Sequence, residues 1–264
     1  MKAYVSAFRM RLKMELQYRG AVLGGVICQM FFGLILVALY RALYANRPQA
    51  DVPLSSVVTY VWLQQAFFRM LLASDSDLLD KIRTGNIAYD LCRPVQLYGF
   101  YFARIAAQKL LGSLLRAAPM MAFALLLPEG WGVTAPVSPA AFLVSLLALG
   151  FGFLCMCAME NLIMAVSMRT LDHRGMSAML HLLTTLLAGN ILPLTLFPDA
   201  WQRVITALPY AQMLDAPIRL YTGERLLSEA PAMLALQAFW TAALIALGLL
   251  LWQRNRKRLI VQGG

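Results

Sequence analysis

Charge is what this sequence has least of. Only 14% of its 264 residues are Asp, Glu, Lys or Arg, while 60% are hydrophobic. Soluble domains carry about 25% charged and roughly 45–50% apolar residues. The shortage excludes an ordinary soluble domain and points to an integral membrane protein. Histidine is nearly missing, and the two present, His173 and His181, form no HExxH metal motif. No G-x-S-x-G nucleophile elbow occurs. Cys28, Cys92, Cys155 and Cys157 make neither a CxxC pair nor a zinc spacing, and read as small core residues. A phosphate-binding G-x-x-x-x-G-K-[ST] loop is also lacking, so this chain does not hydrolyse ATP by that route. There is no low-complexity tract, and no internal repeat of the kind many secondary transporters carry.

What is present is a series of long apolar runs. A membrane-crossing helix needs about 20 mostly apolar residues. Six runs qualify: Gly20–Tyr40, Leu54–Leu72, about Ile105–Leu127, Pro139–Val166, Met176–Leu196 and Pro231–Trp252. The second is the weakest, because it contains Gln64, Gln65 and Arg69. The net charge is +10, but the basic residues sit mostly at the ends of apolar runs, which argues for membrane topology and against nucleic-acid binding. Lys2, Arg9, Arg11, Lys13 and Arg19, then Lys81, Arg83, Arg93 and Arg104, then Arg169 and Arg174, then Arg254, Arg256, Lys257 and Arg258 fall on one side. Arg41, Arg47, Arg203, Arg219 and Arg225 fall on the other. By the positive-inside rule both chain ends, the 73–104 loop and the basic tail 253–264 are expected in the cytoplasm.

Residues 1–19 read as a helix lying on that surface. Val5, Phe8, Leu12 and Leu16 recur at helical spacing, and Lys2, Arg9 and Lys13 fall together beside them, where they could meet anionic headgroups. The apolar run that follows is too long for a cleavable signal. The fifth run accumulates Gly189, Asn190, Pro193, Pro198, Pro209 and Pro217 yet stays apolar. The expected structure is a span that breaks near its outer end, followed over 197–230 by short helices folded back toward the membrane.

The 73–104 loop carries more local signals than a chain reversal needs. Asp75, Asp77 and Asp80 precede Lys81 and Arg83, a distribution that suits the dipole of a short helix over about Asp75–Thr84. Gly85 fits a left-handed position after that helix. Pro94 can open the next helix at its first turn. A capped helix, a turn and a rigid re-entry describe a stiff elbow.

At this point the sequence resembles a known family. The stretch DLLDKIRTGNIAYDLCRPVQLYGFYFAR is similar to the cytoplasmic segment between the second and third spans of ABC-2 type permeases. The matching run is Ile82, Gly85, Ile87, Leu91, Arg93, Pro94 and Tyr98. The later LPLTLFPDAWQRVITALPYAQMLDAPIRLYTGE resembles the family's proline-rich outer segment. The resemblance implies an all-α integral membrane fold, a six-span ABC-2 (type V exporter-like) helical bundle, in the bacterial cytoplasmic membrane. It also implies a permease subunit of an ATP-driven exporter, paired with a second ABC-2 permease, identical or homologous, and with two separate ABC ATPase subunits. ATP and Mg would then belong to the ATPase, and this chain would hold no cofactor or metal and no catalytic residue. Carried over position by position, Asp77, Asp80, Lys81 and Arg83 fall on the docking helix. Gly85, Asn86, Tyr89, Arg93 and Pro94 fall in its turn and re-entry.

Two charges lie deep in apolar runs. Arg116 and Glu160 are at matching depth and of opposite sign, and an unpaired charge there costs about 2.5–3.5 kcal/mol. Pairing between the third and fourth runs is the expectation. Gly20 and Gly24 form a GxxxG on the first run, suited to a close helix contact within the chain or between subunits. A secondary transporter remains an alternative, as does, less strongly, a multi-span membrane enzyme built on the Asp-rich loop.

Overall fold

A computed structural model describes residues 2–17, 19–45, 52–72, 80, 81, 84–170 and 174–256. Among these residues all regular secondary structure is helical. The first helix is α1 (Lys2–Gln17), followed by α2 (Arg19–Ala45), α3 (Leu54–Leu71), the short α4 (Ile87–Leu91), α5 (Leu97–Leu126), α6 (Pro139–Thr170) and α7 (Arg174–Leu187). Three short helices come next, α8 (Asp199–Ala207), α9 (Pro209–Met213) and α10 (Asp215–Thr222), and then α11 (Ala230–Arg256).

Four stretches are long and apolar enough to cross a membrane: Arg19–Ala45, Leu97–Leu126, Pro139–Val166 and Leu227–Arg256. They make this a membrane protein. α2 shows why. Its buried residues Val26, Gln29, Gly33, Val37 and Tyr40 form one helical stripe facing the bundle. Leu23, Ile27, Phe31, Ile35, Leu39 and Leu43 are exposed on its remaining surface. An apolar face of that length is stable only against hydrocarbon.

The other two predicted spans differ from this pattern. α3 is 18 residues long, and every residue from Val57 to Ala66 is buried. Its polar groups meet protein partners: the Gln64 side-chain amide donates to the Gly189 carbonyl at 2.9 Å, the Trp62 indole donates to the Trp131 carbonyl at 2.7 Å, and the Thr59 and Thr134 hydroxyls share a 2.7 Å bond. Thr59, Trp62 and Gln64 are tolerated in such a helix because each has a partner. α7 stops at Leu187, short of the expected Leu196. Gly189 ends it with φ +77, and a Cβ there would stand 2.1 Å from the Tyr60 hydroxyl, so only glycine fits both the turn and the contact. Beyond Gly189 the chain folds back in short helices. α9 and α10 pack on α6, where Gly152 lets the Met213 carbonyl come close.

Two ends of the bundle can be distinguished. At the elbow end, α1 lies against the start of α5, with the Tyr4 ring on Gly99 and the Gln96 backbone N–H donating to the Tyr4 hydroxyl at 3.2 Å. α11 and α6 form the most extensive helix pair. They are joined there by the Asn255 side chain donating to the Ala165 carbonyl at 2.7 Å and the Trp252 indole donating to Asn161 at 3.3 Å. At the far end, the Arg41 guanidinium donates to the Gly130 carbonyl at 2.7 Å and stacks over Trp131.

α1 packs on the bundle through Ala7 and Arg11, with Tyr4, Phe8, Leu12 and Glu15 partly covered, whereas Val5 and Leu16 are exposed. Arg11 and Glu15 pair at 3.1 Å. Lys2, Arg9 and Lys13 stay exposed.

Candidate functional site

The elbow is described at residues 80, 81 and 84–96; Asp77, Arg83 and most of the expected docking helix lie outside the described residues. The Thr84 N–H bonds the Asp80 carbonyl at 2.8 Å, one helical turn, and Gly85 follows at φ +75. A side chain with a Cβ is disfavoured at that φ, so a non-branching glycine lets the chain reverse here. The Asn86 amide donates to the Thr84 hydroxyl at 3.0 Å and steadies the turn. α4 then drives Ile87 into the core formed by Ala7, Leu97, Tyr98, Tyr101 and Trp252. Pro94 does not stand in the first turn of the next helix. α5 begins at Leu97 behind Gln96, because the Val95 N–H turns back to the Arg93 carbonyl at 2.8 Å and prolongs the bend.

One carboxylate organises this turn. Asp90 is 2% exposed. It accepts the Tyr101 hydroxyl at 2.5 Å and Lys81 Nζ at 3.3 Å on Oδ2, while Arg93 Nε lies 3.4 Å from Oδ1. Burial alone would raise its pKa; the Tyr101 hydroxyl, Lys81 and Arg93 more than offset burial and hold it below the usual Asp value. Lys81 and Arg93 were expected to face a partner. Both reach Asp90, which sequence reasoning passed over, and Arg93 stays exposed at the surface. The available signal was a single acid in IAYDLCRP flanked by Lys81 and, three residues on, Arg93. The exposed surface of the elbow is made by Thr84, Asn86, Tyr89, Leu91, Arg93 and Pro94. Tyr89 is 76% exposed, with its ring held outward from an anchored helix.

The deep charges are arranged otherwise than expected. Glu160 pairs with Lys109, 3.4 Å away, and not with Arg116. Lys109 is fully buried, and its ammonium also donates to the backbone carbonyls of Met70 at 3.0 Å and Leu72 at 2.7 Å. Arg116 lies two helical turns along α5. Its guanidinium covers Gly25 of α2, where a Cβ would stand 2.7 Å from Cζ. Seven residues return a side chain to within about 20° of the same direction, so Lys109 and Arg116 leave α5 from nearly one face, and Glu160 meets the one nearer the elbow. The close approaches on α2 belong to Gly25 and to Gly33, which receives the Trp62 ring. Gly20 and Gly24 meet nothing within 4 Å, so the contact within the chain that GxxxG allowed is not made.

A second polar cluster lies at the far end. The Tyr60 hydroxyl donates to Asp215 Oδ1 at 2.8 Å, Arg219 Nη1 lies 3.8 Å from Asp215 Oδ2, and Arg219 Nε lies 3.7 Å from Glu224 Oε2. Neither Glu224 oxygen accepts a hydrogen bond of good geometry, since the Thr222 hydroxyl turns to the Arg219 carbonyl. Burial pushes the Glu224 carboxyl up to about 7, with Arg219 lowering it and Asp215 raising it. No group of three or more His, Cys, Asp or Glu among the described residues is placed to hold a metal ion.

A helical membrane bundle with an anchored, ion-paired elbow at one end and a folded-back proline-rich segment at the other has the architecture of a transport permease. Residues 25–263 match the sequence profile of the ABC-2 family transporter proteins, and the chain belongs to that family. It is thus a permease component of an ABC transporter, a transmembrane subunit of a family that works with ABC ATPase components. No curated protein matches the chain.

Proposed function

We propose that this chain is one of two permease subunits, identical or homologous, of an exporter in the bacterial cytoplasmic membrane. Both chain ends and the elbow lie in the cytoplasm, and two ABC ATPase subunits dock beneath and supply ATP and Mg. The observation that carries this reading is the elbow itself. Ile87 fixes α4 in the core, Asp90 ties Lys81, Arg93 and Tyr101 together, and the exposed Tyr89 is left on a stiff base. A turn that only reversed the chain would not need burial, three polar ties and a glycine at positive φ. An aromatic presented at low conformational cost is the kind of residue that anchors protein interfaces. Basic residues concentrated at the elbow end support the orientation.

In the mechanism, closure of the ATPases displaces the elbow, and the displacement passes through the bend at Pro94 into α5 and the bundle. Of the carried-over positions, Tyr89, Asn86 and Pro94 are the contacts. Lys81, Arg93 and Gly85 hold the shape, and Asp77, Asp80 and Arg83 belong to the docking helix. The test is affinity purification of the chain from its native host, with crosslinking from the exposed native thiol of Cys92. Crosslinks to a subunit bearing a phosphate-binding loop support the reading. Transport driven by an ion gradient in the isolated chain, with no ATPase attached, would sink it and favour a secondary transporter. Gly85→Val is expected to leave the complex assembled and to abolish stimulation of ATP hydrolysis by the permease.

A further inference from the structure

The elbow-end terminus of α3 is capped in an unusual way. A helix C-terminus leaves its last carbonyls without backbone partners, and in an apolar interior these groups must be satisfied by something else. Here Lys109 of α5 takes the Met70 and Leu72 carbonyls at 3.0 and 2.7 Å. The His181 side chain of α7 lies beside Leu71 and the Lys109–Glu160 pair. Glu160 of α6 forms an ion pair with the same ammonium, 3.4 Å away and without a hydrogen bond of good geometry. Lys109 is 0% and Glu160 4% exposed. Positive charge at a helix C-terminus also complements the helix dipole. The Met70 and Leu72 carbonyls are thus held by one side chain of α5, with a carboxylate of α6 balancing its charge and His181 of α7 beside them.

The place of this knot matters more than its stability. Leu72 is the last described residue before the chain leaves α3 for the elbow. Force applied to the elbow reaches the bundle by two covalent routes: forward through Pro94 into α5, and backward through Leu72 into α3. The backward route ends on Lys109. α3 in turn carries Gln64 and Tyr60 to the Gly189 turn and to Asp215 at the far end.

We infer that Lys109, with Glu160 and His181, is a positioning group of the coupling path: it locks the elbow end of α3 to α5, α6 and α7, so that displacement of the elbow moves all four helices as one unit. The inference deepens the function proposed above and rests on it. Without the lock, the freed carbonyls of Met70 and Leu72 would let the last turn of α3 unwind, and elbow motion would be absorbed there instead of reaching the far end.

The experiment uses the complex purified with its ATPase subunits. Cys28 and Cys92, the exposed thiols, are changed to serine. Spin labels are placed at the far end through Val137→Cys and Val204→Cys, both exposed positions, and their separation is measured with and without vanadate-trapped nucleotide. The probe variant is Lys109→Met with Glu160→Met, since replacing a buried ion pair by apolar residues of similar volume is often tolerated. His181→Leu, which changes only the α7 side of the knot, is the milder companion. We expect the paired variant to assemble and to keep ATP hydrolysis while losing most of the nucleotide-dependent distance change, with His181→Leu in between. A full distance change in both variants would overturn the lock and leave Lys109 a structural cap. If the paired variant does not assemble, His181→Leu decides by the same criterion. Absence of any nucleotide effect in the unaltered complex would instead remove the coupling elbow itself, and the lock with it.

Discussion

Asp90 and Glu224 are both carboxylates hidden from solvent beside an arginine, one at each end of the bundle, and their proton affinities move in opposite directions. Asp90 has a tyrosine hydroxyl at 2.5 Å and a lysine at 3.3 Å. Glu224 has a guanidinium at 3.7 Å, no well-formed hydrogen bond, and a second acid, Asp215, across the same arginine. A hydrogen bond to the charged form offsets burial, whereas a charge held beyond hydrogen-bond reach does not. The elbow end is therefore built around a carboxylate that stays ionised over the physiological range. The far end holds an acid poised to change charge within that range.

Removing Asp215 should have the largest effect. Asp215→Ala leaves Tyr60 and Arg219 facing each other without their shared partner, and loss of one member of a buried ionic cluster costs about 3–5 kcal/mol. Thermal unfolding in detergent should show it. Glu224→Gln comes next and has the opposite sign above neutrality. A raised carboxyl pKa means that ionisation opposes folding. The penalty is absent below the unfolded value of 4.5, grows as pH rises, and is complete above about 7. The span of about 2.5 units corresponds to about 3 kcal/mol. The glutamine variant should thus be the more stable protein at pH 8 and show no gain at pH 4. Equal stability curves at both pH values would remove the distinction drawn between the two ends.

Asp90→Asn keeps the shape but loses charge-assisted bonds, at about 1.5–3 kcal/mol. Faster hydrogen exchange confined to residues 84–96 would register it. As pH falls from 7 toward 4.5 the far end should gain stability through Glu224, whereas the elbow should keep its stability until stronger acid and then lose it. The depressed Asp90 pKa contributes stability that is fully present above the ordinary Asp value of 3.8 and is lost only as pH falls through the lower, folded value. The smallest stability change belongs to Tyr89→Ala, within about 0.5 kcal/mol for a surface site. Its consequence should appear only as weaker retention of the ATPase. If Tyr89→Ala unfolds the elbow, its ring is not a free contact surface.

Much of this was readable without coordinates. Gly85 stands in GNIAYDLCRP where helix signals stop, and turn chemistry is local, so a reversal could be placed there from the sequence. The run of Gly and Pro after Leu187 announced a broken segment for the same reason. Arg116 and Glu160 show where reading ended. Both could be seen to lie deep, but Lys109 shares nearly the same face of α5 as Arg116, and which of the two meets Glu160 is set by how α5 and α6 are aligned along their length, a packing outcome between helices far apart in sequence. Lys109 stayed unnoticed because a lysine near the end of an apolar run ordinarily snorkels to the surface; here the terminus of α3 closes over it. Asp90 was overlooked because its decisive partner, Tyr101, belongs to the next helix.

Composition and the order of apolar runs determined by themselves that this chain lives in a membrane, where its breaks fall and which end carries the positive charge. These follow from transfer of side chains between water and hydrocarbon, which depends on each residue and its near neighbours. Only the tertiary structure decided which charges neutralise one another, which glycines receive a neighbour and which carbonyls need a cap. In a low-dielectric interior those outcomes turn on ångström-scale distances between segments that the chain brings together last.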